Sequence, residues 1–283
     1  ITCRDWSSDV CSSDLAVAGG DADAFAAALR SETRLLFIET PSNPFLRVAD
    51  LPVLISLARA RGLLTVVDST FATPVNLRPL ALGADVVIHS GSKYLGGHHD
   101  LIAGAAVGSA ARLAPVERAR GVFGAVGGPM DAYLLLRGLK TLELRVRSQN
   151  ATGLALARFL AGHPAVRAVH YPGLPDHPDH ETAARILDGC GGVVSFEYDG
   201  DLAATGHLLE RLRLPYVGPS LGGVESVVVQ PAAMLSPDPA ERRRTGLPDN
   251  LVRYAAGIEA AEDLIADLAQ ALDASTPRAG RSS

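Results

Sequence analysis

From Leu35 onward, short apolar runs alternate with longer stretches whose apolar residues recur three and four apart. The short runs predict strands at Leu35–Ile38, Leu63–Val67, Val86–Ile88 and Leu101–Val107. Between them, Asp21–Leu29 reads as an alanine-rich helix. Asp50 reads as the cap of a helix running to Ala60, with Gly62 as its stop. Residues 129 to 161 predict mainly helix. Beyond them Val166–Val169, Val193–Glu197, Ser226–Val229 and Leu251–Ala255 read as strands, and Pro178–Leu187, Leu202–Leu212 and Ala260–Leu272 as helices. The expected class is α/β, a mostly parallel sheet built from βαβ units and followed by a smaller α+β part. The expected division is 16–147 and 148–273, with a polar, disordered tail at 274–283.

Composition narrows the field. The 283 residues are 47% hydrophobic and 20% charged, with a formal net charge of -5. That balance suits a globular chain and gives no basic footprint for nucleic acid or anionic lipid. No apolar run approaches the roughly 18 residues of a membrane span. Only Lys93 and Lys140, of 26 basic residues, are lysine. A lysine can deprotonate and attack a carbonyl, which an arginine cannot.

Residues 1–15 (ITCRDWSSDVCSSDL) have no apolar periodicity and no signal-peptide pattern. Asp5–Leu15 resembles the in-frame translation of a sequencing adapter, so the segment is expected to be an artefact. Setting it aside leaves Cys190 as the single cysteine. No disulfide framework then follows, and the expected compartment is the reducing cytoplasm.

The densest chemistry lies in Val66–Gly104. Asp68 ends one strand, and Ser90, Gly91, Ser92 and Lys93 follow the next. Hydroxyls and backbone N–H groups there suit a phosphate. A lysine beside a phosphate is either an anion clamp or a Schiff-base nucleophile. An acid has no use in a clamp but suits a pyridine nitrogen, so the set fits pyridoxal 5'-phosphate. The plain alternative is a buried capping aspartate with a surface lysine.

Five ordered blocks extend the pattern: Glu39–Pro44 (ETPSNP), Asp68–Pro74 (DSTFATP), His89–His98 (HSGSKYLGGH), Ser220–Ser226 (SLGGVES) and Leu251–Glu259 (LVRYAAGIE). Together they resemble the Cys/Met-metabolism group of pyridoxal-phosphate enzymes, of transferase fold type I, with helices on both faces of the large sheet. The resemblance implies that Lys93 bonds the cofactor and then moves protons, and that Asp68 pairs with the ring nitrogen. It implies that Ser90 and Ser92 contact the phosphate and that Asn43 lies near cofactor and substrate. Arg253, with Ser220 beside it, would bind the substrate carboxylate as a fork. It also implies small amino-acid substrates, no metal, no nucleic acid or membrane partner, and a homo-oligomer (a dimer of dimers) with active sites shared between subunits.

Members of the group carry a further amino-terminal part with a glycine-rich phosphate loop, a stacking tyrosine and a Tyr/Arg arm. None is visible here, so the chain is expected to lack that part and to be weakly active or inactive. Within the group, Tyr171–Pro175, Gly191–Glu197, Leu214–Ser220, Gln230–Met234 and Asp249–Arg253 favour γ-replacement on an activated homoserine. Pro219, where many γ-eliminating members have glutamate, favours it too. γ-Elimination, sulfhydrylation and β-elimination are the alternatives, and an inert fragment is the alternative of another kind. His98, His99 and Asp100 are expected to hold no metal, since neighbours on an extended segment point apart. His177 and His180 are expected on a surface loop, Lys140 in an ion pair near Glu143, and Cys190 as a packed or partly buried small residue.

Overall fold

The computed structural model describes residues 17, 22–235, 238–240, 242 and 246–274. The adapter-like segment 1–15, and all of the 274–283 tail but Ala274, lie outside the described residues.

The first sheet runs β1 (Leu35–Glu39), β2 (Leu64–Asp68), β3 (Val86–Ser90) and β4 (Gly104–Gly108) in that spatial order. β1, β2 and β3 are parallel, whereas β4 runs antiparallel to β3. The parallel register sets Glu39 opposite Asp68 and Asp68 opposite Ile88, so the acidic strand ends emerge side by side. A short helix, α1 (Ala22–Ala28), buries Phe25 in the same layer as α2 (Leu51–Ala60). In α2 the apolar positions Leu51, Leu54, Ile55 and Ala58 fall on one face and pack with Leu36, Ile38 and Val67. Asp50 caps it by accepting from Val53 N–H, and Gly62 follows with φ +66°. Such a cap is worth about 1 kcal/mol.

After β2 comes the short helix α3 (Thr73–Asn76). β4 leads into α4 (Ala110–Phe123), which buries none of its residues. The expected helix at 129–161 is two helices, α5 (Pro129–Leu139) and α6 (Leu142–Ala161), broken at Lys140–Thr141. α6 carries buried residues along its whole length, from Leu142 to Leu160. Its core cluster takes Phe71, Tyr94 and Leu95 from the first half of the chain and Val194, Phe196 and Val252 from the second.

The second sheet has the order β5 (Val166–His170), β6 (Val193–Tyr198), β9 (Leu251–Ala255), β8 (Val227–Val229), β7 (Tyr216–Val217). Its pairs are antiparallel except β7 with β8. α7 (His180–Ile186) follows β5, and α9 (Pro231–Leu235) follows β8. α8 (Leu202–Arg211) and α10 (Ala261–Asp273) cover the sheet through Leu208, Leu264, Leu268 and Leu272, all fully buried. Two polar clasps fix the strand ends. Glu259 accepts from the N–H (2.7 Å) and hydroxyl (2.9 Å) of Ser226. Gln149 of α6 donates to Gly223 O (2.8 Å) and Ala256 O (3.2 Å).

Candidate active site

In a parallel sheet the strand carboxyl ends open toward a common crevice. Asp68 ends β2, and Ser90 ends β3 and leads directly into a helical turn, Gly91–Leu95. Thr70 ties the two ends together. Its N–H donates to Asp68 Oδ1 (2.9 Å) while its hydroxyl accepts from Ser90 N–H (2.8 Å). The sequence motifs alone assign Thr70 no role, although an Asx-turn two residues after an aspartate is a readable pattern.

Lys93 sits inside the turn with non-helical backbone angles (φ -95°, ψ -128°). The turn is held from both sides. Gly91 packs so close to the residue preceding β4 that a Cβ there would lie 2.9 Å from Ala103 Cβ. On the other side the buried Arg145 donates to Tyr94 O (2.8 Å) and Gly138 O (2.8 Å). Ser92 Oγ accepts from Ala103 N–H at 3.0 Å and donates to Ala103 O at 3.4 Å, stapling the turn to the start of β4.

Four expected residues form one hydrogen-bonded chain. Lys93 Nζ donates to Ser220 Oγ at 3.0 Å. Arg253 Nη2 donates to Ser220 O at 3.0 Å, and Arg253 Nη1 donates to Asn43 Oδ1 at 2.9 Å. Arg253 lies mid-strand in β9, paired with Ser195 of β6 and Val229 of β8. Its Nε is buried without a partner, and no carboxylate pairs with it among the described residues. A half-buried cation whose buried donor is idle is costly unless an anion meets it. Asp68, Ser90 and Ser92 lie at the neighbouring strand ends, outside this chain of contacts. Beside Asp68, Ser69 Oγ and His89 Nδ1 are also buried and unpartnered.

The electrostatics agree with nucleophile chemistry. Burial, and then the positive Arg253, lower the Lys93 pKa, raising its neutral fraction. Burial, and then Asp68, push Glu39 up to about 7. Burial lowers His89 against the opposing pull of Asp68. The donor set therefore fits a phosphorylated aldehyde with a basic ring: an amine, an acid and hydroxyls, beside a cation that meets no carboxylate among the described residues. Glu39, across the register from Asp68, is a further acid to which the sequence motifs alone assign no role.

Other expectations change. The segment at His98 and His99 is not extended. The φ of +55° at His99 breaks the extended alternation, and its Nδ1 lies 3.5 Å from Ser220 Oγ. His177 is buried rather than on the surface, and its Nδ1 accepts from Asp179 N–H at 3.2 Å. His180 Nδ1 contacts Pro172 O at 2.9 Å. Glu143 pairs with Arg147 one turn on, not with Lys140, which is exposed. Cys190 is a half-buried free thiol, pushed by burial up to about 11. Among the described residues no cluster of three or more His, Cys, Asp or Glu side chains could hold a metal, and no helix is long and apolar enough to cross a membrane.

Residues 6–273 match the family described as Cys/Met metabolism PLP-dependent enzyme. The chain is 48% identical over 251 residues to the chloroplastic cystathionine gamma-synthase 1 of Arabidopsis thaliana, covering 88% of this chain and 45% of that protein. It is 46% identical over 257 residues to the cystathionine gamma-synthase of Mycobacterium leprae, covering 89% and 65%. It is 43% identical over 254 residues to a cystathionine beta-lyase of Lactococcus lactis, covering 89% and 67%. The chain thus spans about half to two thirds of the length of these relatives.

Proposed function

We propose, from the premise that the chain belongs to the Cys/Met metabolism PLP-dependent enzyme family, that the whole protein performs γ-replacement. An O-acylated homoserine would exchange its γ-substituent for the thiol of cysteine, giving cystathionine. The names of the relatives at 46–48% identity support this over elimination. The observation that carries the site reading is the chain of contacts from Lys93 through Ser220 and Arg253 to Asn43.

Pyridoxal phosphate, when bound, supplies an electron sink for charge developing at the substrate's α-carbon. Each residue's task follows from its setting. Asp68, its Oδ1 fixed by Thr70 N–H, would hold the ring nitrogen protonated. Ser90 would hold the phosphate, and Ser92 would join it by turning its hydroxyl proton from the long contact to Ala103 O. Lys93 would hold the cofactor covalently through Nζ. As a free amine it would move protons at the substrate's α- and β-carbons, giving up the first before it takes the second. Arg253 would clamp the α-carboxylate as a fork, with Asn43 and Ser220 keeping its plane fixed.

Several finer features belong to the same proposal. The division at about residue 147 is supported by the two separate sheets. A homo-oligomer is supported by exposed apolar side chains on and after α4, including Val122 (82% exposed) and Phe123 (84%). A cytoplasmic setting suits the free thiol of Cys190. The 283 residues alone are proposed to turn over weakly, because the expected phosphate loop, stacking tyrosine and arm are not among them.

Reaction products test the proposal. A protein extended to the length of its relatives should form cystathionine from an O-acylated homoserine and cysteine. Keto acid and ammonia from cystathionine, with no γ-replacement, would move the reading to the lyases. Robust turnover by the 283-residue chain would overturn the proposal that it is incomplete.

A further inference from the structure

We propose that His99 is a positioning residue that orients the Ser220 hydroxyl and, through it, the Lys93 amine. The inference rests on the reading of Lys93 as the nucleophile of this site. Ser220 Oγ receives Lys93 Nζ at 3.0 Å and lies 3.5 Å from His99 Nδ1. A hydroxyl has one proton and two lone pairs. With Lys93 donating, the Ser220 proton is left for an acceptor, and His99 Nδ1 is the side-chain acceptor at contact distance. A neutral imidazole with its proton on Nε2 offers a lone pair there. The result is a directed chain from Lys93 N–H to Ser220 O–H to His99 Nδ1. In that direction the hydroxyl proton does not cover the amine's lone pair, which stays open to attack a carbonyl. At 3.5 Å the last contact is long, so the hydroxyl is guided rather than locked.

Two backbone features make this contact specific. His99 (φ +55°) and Ser220 (φ +102°) both lie in the left-handed region that non-glycine residues avoid. Strain of this kind is held where the surrounding structure over-determines it. Here the two strained residues come from distant loops, and their side chains meet beside Lys93. The imidazole also needs the glycine at 223, since a Cβ there would lie 1.9 Å from His99 Nε2. Gly223 is itself pinned by Gln149, so the surface on which the ring rests is fixed by a buried contact.

The test uses the 283-residue chain without cofactor. Because it has only two lysines, trinitrobenzenesulfonate labelling with peptide mass mapping gives a Lys93-to-Lys140 rate ratio, with Lys140 as internal control. His99→Gly suits the positive φ and deletes the acceptor. His99→Asn tolerates the same backbone and restores an acceptor near the Nδ1 position. The ratio should fall about two- to tenfold in His99→Gly, the range of one net hydrogen bond, and recover in His99→Asn. In a Ser220→Ala background His99→Gly should leave it unchanged. Equal ratios in wild type, Gly and Asn variants would overturn the proposal. So would an equal change in both variants, which would make His99 a filler of space. Borohydride trapping of added pyridoxal phosphate on wild-type Lys93 tests the functional reading separately. Failure to trap, with the Gly/Asn difference intact, sinks that reading and leaves the hydroxyl relay standing.

Discussion

Lys93 Nζ meets Ser220 Oγ at 3.0 Å across 127 positions of sequence. This contact joins the turn after β3 to the loop before β8, and Arg253 reaches the carbonyl of the same serine. The proposed nucleophile and the proposed carboxylate fork are thus held through one residue. Burial and the nearby guanidinium together favour the neutral amine.

The first prediction concerns that amine. Added pyridoxal phosphate should give a visible absorbance band with the wild-type chain and none with Lys93→Ala. Lys93→Arg should fail as well, because a guanidinium does not deprotonate near neutral pH. Borohydride reduction and peptide mapping should place the label on Lys93 and not on Lys140. A label on both in equal measure would mean nonspecific amine chemistry.

Arg253 carries the second prediction. Its buried Nε is idle and its two Nη groups are spent on neutral oxygens. An amino-acid substrate's carboxylate would supply the missing charge. Arg253→Lys keeps a cation but loses the planar fork. It should weaken binding of a carboxylate substrate analogue about 10- to 100-fold, the range of a lost charge-assisted hydrogen bond. Calorimetric titration of the cofactor-loaded protein measures this. The cofactor band itself should persist, and its loss would mean that Arg253 shapes the cofactor site rather than the substrate site.

Legibility in the sequence follows physical signal. β2, β3 and the residues at their ends are readable because apolar runs stop abruptly at polar groups. Arg253 is readable only through its block, since an arginine mid-strand ordinarily suggests a solvated edge. α4 is not readable: it buries no residue and so carries no apolar face. The antiparallel direction of β4 is hidden because a short Ala/Gly strand reads alike in both directions. The expectation for His99 assumes an extended backbone, and one left-handed residue undoes that assumption. Glu39 acts through register, which no single position announces, whereas the Asx-turn at Thr70 is a readable pattern outside the motifs.

Glu39 makes a pH prediction for the cofactor-free chain. Burial and the neighbouring Asp68 raise its carboxyl from 4.5 to about 7. The folded state therefore binds this proton more tightly than the unfolded one. The stabilisation is fully present below about pH 4.5 and is lost as pH rises through about 7. Glu39→Gln removes the dependence. Above pH 7 it should be more stable than wild type by about 1–3 kcal/mol, converging near pH 4. Urea midpoints across that range measure the difference, and parallel curves would show that Glu39 titrates normally.

The last prediction turns on a glycine inside a helix. Gly138 lies near the end of α5, where alanine is better by about 1 kcal/mol in helix propensity. A Cβ there would lie 2.2 Å from Gly96 O and 2.6 Å from Leu95 O. Both are backbone atoms of the turn that carries Lys93, so no side chain can swing aside. Overpacking of this kind costs about 1–3 kcal/mol, which exceeds the propensity gain. Gly138→Ala should therefore destabilise the chain and lower the Lys93 labelling rate. A Cβ at Gly121, in α4, would meet nothing within 4 Å, so Gly121→Ala should be neutral or stabilising and leave Lys93 unaffected. If both substitutions stabilised alike, α5 would not be pressing on the turn, and Lys93 would owe its position to Arg145 and β4 alone.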